Sequence, residues 1–414
     1  LGSNVAHLFV SFGDDDFHAR PPECVQVDDA SPALIELPKA SSASSWPPLH
    51  PHGDYGDVLD IIKVPVYTVR LLGAADVTRL VELVGRDQLM DLMIERLDAR
   101  FRDHDVDSVQ ARNRDGFRYD KPALGLLEWM PTHDLSGPVV VKMVGYHPTN
   151  PVQRDLPSVI ATTSMWDSES GHLVALADAT LLTAIRTGAA SAVATDLLAR
   201  DDSVTVGVVG LGAQAVTQLH AISRVRTIDR VIGIDADADT AQSFASRVSF
   251  LGLDVEIAEP GRAASIVADV DVLCTCTSVD IGAGPVVGDV EPRPWLHVNA
   301  VGADFPGKLE LPAGLLARGC IIPDVLAQCI VEGECQQVAA DHIGPELFEL
   351  VQQNERYRTL RDSVTVFDST GWALEDDVAL RLAVELADHH SLGTDFQLEY
   401  ISSDPHDPYA AFTD

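Results

Sequence analysis

Apolar positions along the chain follow two regimes that change near Leu181. Before it, short apolar or alternating runs dominate. Leu124–Met130 and Val139–Tyr146 are joined by the polar stretch Thr132–Pro138, and Val159–Trp166 and His172–Ala177 flank Ser168–Gly171. Such runs bounded by turn residues predict antiparallel hairpins. Ile61–Leu71 also reads as a strand, while Gly73–Phe101 carries helical spacing for two helices. The first 180 residues therefore predict a mixed α+β layer built mainly on antiparallel strands.

From Leu181 the pattern alternates. Leu181–Ala199 holds Ala, Leu and Thr at helical spacing. Strand candidates then recur between helices: Val204–Val209, Val231–Asp235, Val255–Ala258, Val270–Thr275, Leu296–Val301, Cys320–Pro323 and Val364–Asp368. Strand–helix alternation implies a parallel, doubly wound α/β sheet with right-handed crossovers, and a ligand beyond the carboxyl ends of its strands. Glu375–Asp388 reads as an amphipathic helix that returns to the first domain, and Asp404–Asp414 as a polar tail. The expected division is a loosely ordered extension over 1–58, a first domain over 59–183 with 372–414, and a Rossmann-type domain over 184–371. The extension rests on turn and linker signals such as Asp14-Asp15-Asp16, Pro21-Pro22 and Pro47-Pro48.

Composition narrows the function. With 46% hydrophobic and 22% charged residues the chain is an ordinary globular protein in make-up. No apolar run reaches membrane-spanning length, and the beginning lacks a basic segment followed by an apolar core, so neither a span nor a secretory signal is expected. Six cysteines without a C-x-x-C pair fit neither a disulfide framework nor a zinc site, so a reduced, cytoplasmic compartment is expected. The net charge of −34 disfavours nucleic acid and anionic membranes as partners. Five lysines stand against 63 acids, which points to a heavily carboxylated surface and a salt-tolerant source.

The stretch on which the rest is organised is Val204–Ala215. An apolar strand runs into Gly210-Leu211-Gly212-Ala213-Gln214-Ala215, and Gln214–Val225 continues as a helix. This is the G-x-G-x-x-A spacing of a dinucleotide fingerprint. Gly210 permits the turn, Gly212 lets backbone approach a pyrophosphate, and Ala215 allows close packing of helix on strand. The exposed N–H groups of the helix start, around Ala213 and Gln214, receive the anion. A second apolar strand ends at Asp235, 25 residues after Gly210, where a carboxylate for an adenosine ribose belongs. That carboxylate favours NAD over NADP. Thr277, Ser278 and the strand-to-turn junction at Ser369 are further candidates for lining the cofactor pocket.

Four groups could carry chemistry. Arg118, Glu128, Lys142 and His147 belong to the first domain; Glu128 reads as lying at a strand end, and Lys142 falls opposite Val141 and Met143 in the alternation. A strand lysine is either a solvated residue or a functional one. Arg186-Thr187 lies in the helix before the fingerprint, where an arginine is an ion-paired residue or a carboxylate clamp. Asn299–Lys308 follows a parallel strand and places Asp304 just past its carboxyl end, as a general base, an amine-binding group or a helix cap. Phe367–Gly371 is the fourth.

Thr180–Ala190, the glycine turn, Asn299–Lys308 and Phe367–Asp376 together resemble the ornithine cyclodeaminase/mu-crystallin family. Leu127–Pro131 and Lys142–Pro151 look like its cyclodeaminases rather than its ketimine reductases or alanine dehydrogenases, and Gly333–Gln337 with Leu156–His220 resemble its lysine cyclodeaminases. The likeness covers roughly residues 60–405. It implies a substrate-binding and dimerisation role for the first domain, a homodimer formed through its strands, and NAD as cofactor. It also implies that Arg118, Lys142 and Arg186 hold an α-carboxylate, Glu128 a terminal amine, and Asp304 the proton on the reacting amine. Arg112 and Arg114 lie close to Arg118. NAD contacts are implied for Thr187, Gly210, Gly212, Ala213, Gln214, Asp235, Thr277, Ser278, Val301, Gly302 and Ser369. The implied reaction takes L-lysine to L-pipecolate, or L-ornithine to L-proline, by transient oxidation at Cα, ring closure, loss of ammonia and re-reduction. Alternatives are a ketimine reductase or amino acid dehydrogenase on the same scaffold, and a non-catalytic dinucleotide-binding protein.

Overall fold

The computed structural model describes residues 68–410. The extension over 1–58, most of the strand read over 61–71 and the last four residues of the tail lie outside the described residues. In chain order the first lobe holds β1 (Val69–Leu72), α1 (Ala74–Val84), α2 (Arg86–Arg102), β2 (Val109–Ala111), β3 (Asp115–Tyr119), β4 (Gly125–Asp134), β5 (Val139–Tyr146), β6 (Val159–Trp166) and β7 (Leu173–Asp178). Then come α3 (Thr180–Leu198), β8 (Thr205–Val209), α4 (Ala213–Val225), β9 (Arg230–Ile234), α5 (Ala238–Arg247), β10 (Val255–Ile257), β11 (Val272–Thr275) and β12 (His297–Ala300). The chain closes with β13 (Cys320–Pro323), α6 (Leu326–Glu332), α7 (Leu347–Gln352), β14 (Thr365–Asp368), α8 (Ala373–His389) and β15 (Thr394–Phe396); shorter helical turns lie between these elements.

Two sheets result. The first has eight strands in the order β15-β1-β7-β6-β5-β4-β2, with β3 also pairing β4. It is antiparallel except where β1 runs parallel to β7. The second has seven strands in the order β10-β9-β8-β11-β12-β14-β13, all parallel. Each of its seven strands coincides with an apolar run read from the sequence. The strand order reverses between β8 and β11, so the crevice for a nucleotide opens at the ends of those two strands.

α3 lies at the junction of the lobes. Ala189, Ala190, Ala192 and Ala194 are wholly buried, and a Cβ on Gly188 would sit 2.6 Å from the Thr217 carbonyl oxygen of α4. Small side chains therefore let α3 and α4 pack at close range, where any added methyl would force them apart. Among the described residues α3 is the one helix long and apolar enough to cross a membrane, and 78% of that window is buried inside the protein.

α8 differs from its amphipathic reading. Its N-terminal half is buried all round, with Glu375, Asp376 and Asp377 at 0%, 3% and 3% exposure. These acids are counter-charges for Lys142, Arg186 and Arg381. The helix packs on α3, α2, β4 and β5, which places it against the first lobe.

Candidate functional site

The nucleotide end is built by the glycine turn. Gly210 has φ +85°, and a Cβ there would meet the Cys276 carbonyl at 2.8 Å, so a side chain would be strained and crowded at once. At Gly212 a Cβ would meet nothing within 4 Å; the turn faces open space, as a phosphate cradle requires. Gly212 caps α4, and Ala213 and Gln214 are the first residues of that helix. Asp235 accepts the Leu211 N–H at 2.6 Å and the Asp237 N–H at 2.8 Å, so it clasps the turn from the next strand. The Arg247 guanidinium donates to the Leu211 carbonyl at 2.6 Å and the Gly212 carbonyl at 3.2 Å.

The turns after β11 and β12 are tied by one buried carboxylate. Glu310 accepts the Thr277 N–H at 2.6 Å and its hydroxyl at 2.7 Å through one oxygen, and the Gly302 N–H at 2.8 Å through the other. Burial raises the Glu310 carboxyl, while the Thr277 bonds oppose that shift. Val301 donates its N–H to the Thr275 carbonyl at 3.0 Å, and Ser369 donates to Ala300 at 2.9 Å. The Ser369 hydroxyl is buried and has no partner among the described residues, whereas the Thr187 hydroxyl donates to the Thr183 carbonyl one helical turn back at 2.8 Å.

The substrate side is the inner face of the first sheet. Register pairs Leu126 with Tyr146, Glu128 with Val144, and Met130 with Lys142. Alternation therefore sends Glu128, Lys142 and Tyr146 to one face, towards α3 and α8. Glu128 lies within β4 rather than at a strand end, because the strand continues through Pro131 to Asp134. Lys142 is 1% exposed, and its Nζ lies 2.8 Å and 2.7 Å from the two Asp376 oxygens. Arg186 pairs with Glu375 at 2.7 Å and Asp376 at 3.0 Å. Burial, then the neighbouring Arg186 charge, pushes the Lys142 ammonium down to about 7; Asp376 opposes both. Burial likewise pushes the Glu375 carboxyl up to about 8 against the pull of Arg186.

Arg114, just before β3, occupies the floor of the cleft. Its guanidinium lies 3.5 Å from Glu128 and 2.8 Å from Glu332 and donates to the Thr370 carbonyl, and to that of Gly371 at 3.2 Å. Burial raises the Glu128 carboxyl; Arg114 opposes this, and the nearby Asp304 adds to it. Glu332 is pushed up to about 8 by burial, again opposed by Arg114 and helped by Glu128 and Asp304. Asp304 does not cap a helix. It pairs with Lys308 at 2.7 Å, four residues on.

Arg118 shares the inner face of β3 but is exposed and stacks over the Phe305 ring at 5.2 Å, at the rim of the cleft. Arg114 and not Arg118 makes the buried ion pairs. The difference is one of burial: the sequence offers three arginines within seven residues, and only packing selects among them. His147 turns away, bonding the Tyr119 hydroxyl at 2.9 Å. With Tyr119, Leu127, Met143 and Ile160 it lines a concavity of about 750 Å³ on the outer face of the sheet, opposite the cleft. Sequence reasoning named Arg114 only as a neighbour of Arg118 and did not single out Glu332, Glu375 or Asp376. The signal for the last two was an acidic pair opening a helix whose flanking positions are all apolar.

A doubly wound nucleotide-binding sheet facing a lobe with buried cations and carboxylates defines the chain as a dinucleotide-dependent protein acting on a small zwitterion. Residues 75–390 match the model of the ornithine cyclodeaminase/mu-crystallin family. The chain belongs to that family. It is 44% identical over 344 residues to L-lysine cyclodeaminase of Streptomyces rapamycinicus, spanning 82% of this chain and 99% of the relative. It is 33% identical to ornithine cyclodeaminase of Agrobacterium fabrum, spanning 70% of this chain and 79% of the relative. A solved lysine cyclodeaminase, described in terms of its recognition of L-lysine, L-ornithine and L-2,4-diaminobutyric acid, superposes with a TM-score of 0.79 at 44% identity. It spans 83% of this chain and 99% of its own.

Proposed function

We propose that this chain is a cyclodeaminase that converts L-lysine to L-pipecolate, or L-ornithine to L-proline, with release of ammonia. The observation that carries the reading is that Glu128, on the first sheet and paired with Arg114, and Asp304, in the loop after β12 of the second, lie within electrostatic reach of each other across the cleft. A reductase or dehydrogenase of a monoamino acid has no second amine to hold, and a carboxylate buried on the substrate lobe serves it nothing. The two diamino acids differ by one methylene, a discrimination of about 1–3 kcal/mol.

The residues present fit NAD: an open glycine cradle at Gly212, a helix start at Ala213 and Gln214, and Asp235 at the end of β9. Thr187, Thr277, Ser278, Val301, Gly302 and Ser369 are the proposed remaining contacts. When bound, NAD supplies reversible hydride transfer at the substrate Cα, so that no net oxidation accumulates. Arg114, Lys142 and Arg186 hold the α-carboxylate, with Arg118 at the rim guiding entry. Glu128 receives the terminal ammonium. That amine must lose a proton before it attacks, and its ordinary pKa is about 10.4. A carboxyl raised by burial narrows the gap across which the proton moves, so Glu128 is suited to take it. Asp304 handles the proton of the α-amine. Holding the chain bent with both ends fixed makes ring closure a proximity-driven step.

The outer face of the first sheet supports a homodimer. Leu127, Met143, Ile160 and Trp166 on adjacent strands are 40%, 36%, 40% and 36% exposed, an apolar patch of the kind that marks an interface. Together with the proposed domain division at residues 183/184 and 371/372, this assigns the inner face to substrate and the outer face to the partner copy. A cytoplasmic site of action goes with a sequence whose six cysteines include no C-x-x-C pair and are too few for a disulfide framework in a chain of this length. The test is incubation with L-lysine or L-ornithine and catalytic NAD+. NADH accumulating in proportion to product defines a net oxidoreductase instead.

A further inference from the structure

Of the five lysines in this chain, Lys142 and Lys308 are 1% and 6% exposed. A protein that has so few ammonium groups, and 63 acids to offset, places two of them inside one cleft rather than on its surface. Burying an ammonium is costly unless its charge is answered locally, so each position needs a local reason. For Lys142 the reason is Asp376 and the α-carboxylate. Lys308 has neither.

Its surroundings are specific. The loop after β12 turns back through Pro306-Gly307, closed by the Lys308 N–H on the Phe305 carbonyl at 2.9 Å, and Gly307 is tied by its N–H to the Gln336 side-chain oxygen at 2.8 Å. The turn delivers Lys308 Nζ to the Asp304 carboxylate at 2.7 Å. The same ammonium lies 5.3 Å from the centre of the Tyr146 ring, which comes from β5 of the other lobe. Asp304 itself is 42% exposed at its side chain, so the ion pair gives a half-open carboxylate a fixed place. Asp304 also acts electrostatically on Arg114, Glu128 and Glu332, and the exposed Arg118 guanidinium lies over the ring of the adjacent Phe305. Lys308 makes the ion pair to this carboxylate, whereas Arg114 acts on it from farther off and is shared with Glu128 and Glu332.

We propose that Lys308 is the positioning residue for Asp304, its ammonium wedged between the Asp304 carboxylate and the Tyr146 ring so that the carboxylate is aimed into the cleft only when the two lobes are in register. The proposal rests on the proton-handling role given to Asp304 above. It predicts that Lys308 touches no substrate atom and acts entirely through its neighbour.

The test is a double-mutant cycle of Lys308→Met and Asp304→Asn, read as kcat and KM for L-lysine with NAD+ supplied, beside a solvent deuterium isotope effect. Lys308→Met lowers kcat about ten- to a hundredfold with KM held within about twofold, and the isotope effect on kcat rises because the proton step slows. Lys308→Arg, which restores the cation, recovers part of the loss. In the Asp304→Asn background the lysine change costs nothing more. Full additivity of the two losses, a KM that rises as kcat falls, or an unchanged kcat overturns the proposal. If Lys308→Met does not fold, Lys308→Gln serves in the cycle. Crystal structures of wild type and variant judge Lys308 independently of turnover: an Asp304 carboxylate that keeps its place without the ammonium refutes the inference. Wild-type protein that releases no ammonia refutes the cyclodeaminase reading alone.

Discussion

At the scale of single residues the site is a matter of where charge is buried and what answers it. Lys142 and Arg186 answer Asp376 and Glu375 almost one for one, whereas Arg114 alone serves both Glu128 and Glu332. On the proposed reading Glu128 is the member of that group that receives the substrate's terminal ammonium. Glu128→Gln is expected to raise KM for L-lysine about tenfold or more, the cost of one charge-assisted hydrogen bond, with NAD+ affinity unchanged. A KM unchanged within error would remove Glu128 from the amine site. Asp304→Asn is expected to lower kcat about a hundred- to ten-thousandfold while NAD+ still binds. The pH dependence follows from Lys142, whose ammonium burial holds down to about 7. As pH rises through that value the free protein loses a cation that the proposal sets against the substrate carboxylate, so KM is expected to rise on the alkaline side. Lys142→Met should raise KM at all pH values and abolish this break; a break that survives the substitution belongs to another group.

At the scale of elements, what the sequence made legible and what it hid divide by the range of the interaction. The seven parallel strands and the helices α3, α4 and α8 were readable because their periodicity is local, and so was the glycine turn, whose residues are contiguous. The five-residue β3, with the pattern DGFRY, carries no apolar alternation and was not read as a strand. It exists because β4 offers it a full antiparallel register from Trp129 to Gly125. That pairing in turn sets Arg114 over Glu128 and leaves Arg118 at the rim. The acids at the start of α8 were hidden for the same reason: Glu375 and Asp376 look like a good helix N-terminus, and only the fold shows that their partners are Arg186 and Lys142, almost two hundred residues or more away. Gly210→Ala tests the element that holds the nucleotide. Positive φ and the close Cys276 carbonyl predict a loss of about 1–3 kcal/mol in stability and a larger loss in NAD+ affinity. An alanine variant with wild-type NAD+ binding would show that the turn does not approach the phosphates.

At the scale of the whole molecule, the proposal gives the two faces of the first sheet two different tasks, substrate binding on the inner face and pairing with a second copy on the outer. Met143→Asp places a charge in the middle of the outer apolar patch and, with Met143 pointing away from Lys142, should convert a dimer to a monomer by light scattering while leaving NAD+ binding intact. A monomeric wild type would refute the assignment of that face. With a net charge of −34, self-repulsion should make the melting temperature rise with sodium chloride, and a melt independent of salt would argue against adaptation to a salt-rich cytoplasm. The central claim, a diamino acid held at both ends and closed into a ring, is tested most directly by mass spectrometry of L-lysine incubated with the protein and a catalytic amount of NAD+. The account predicts many turnovers to a product lighter than lysine by one ammonia, with no net NADH. Product limited to the amount of NAD+ supplied, or formed with matching NADH, would contradict it.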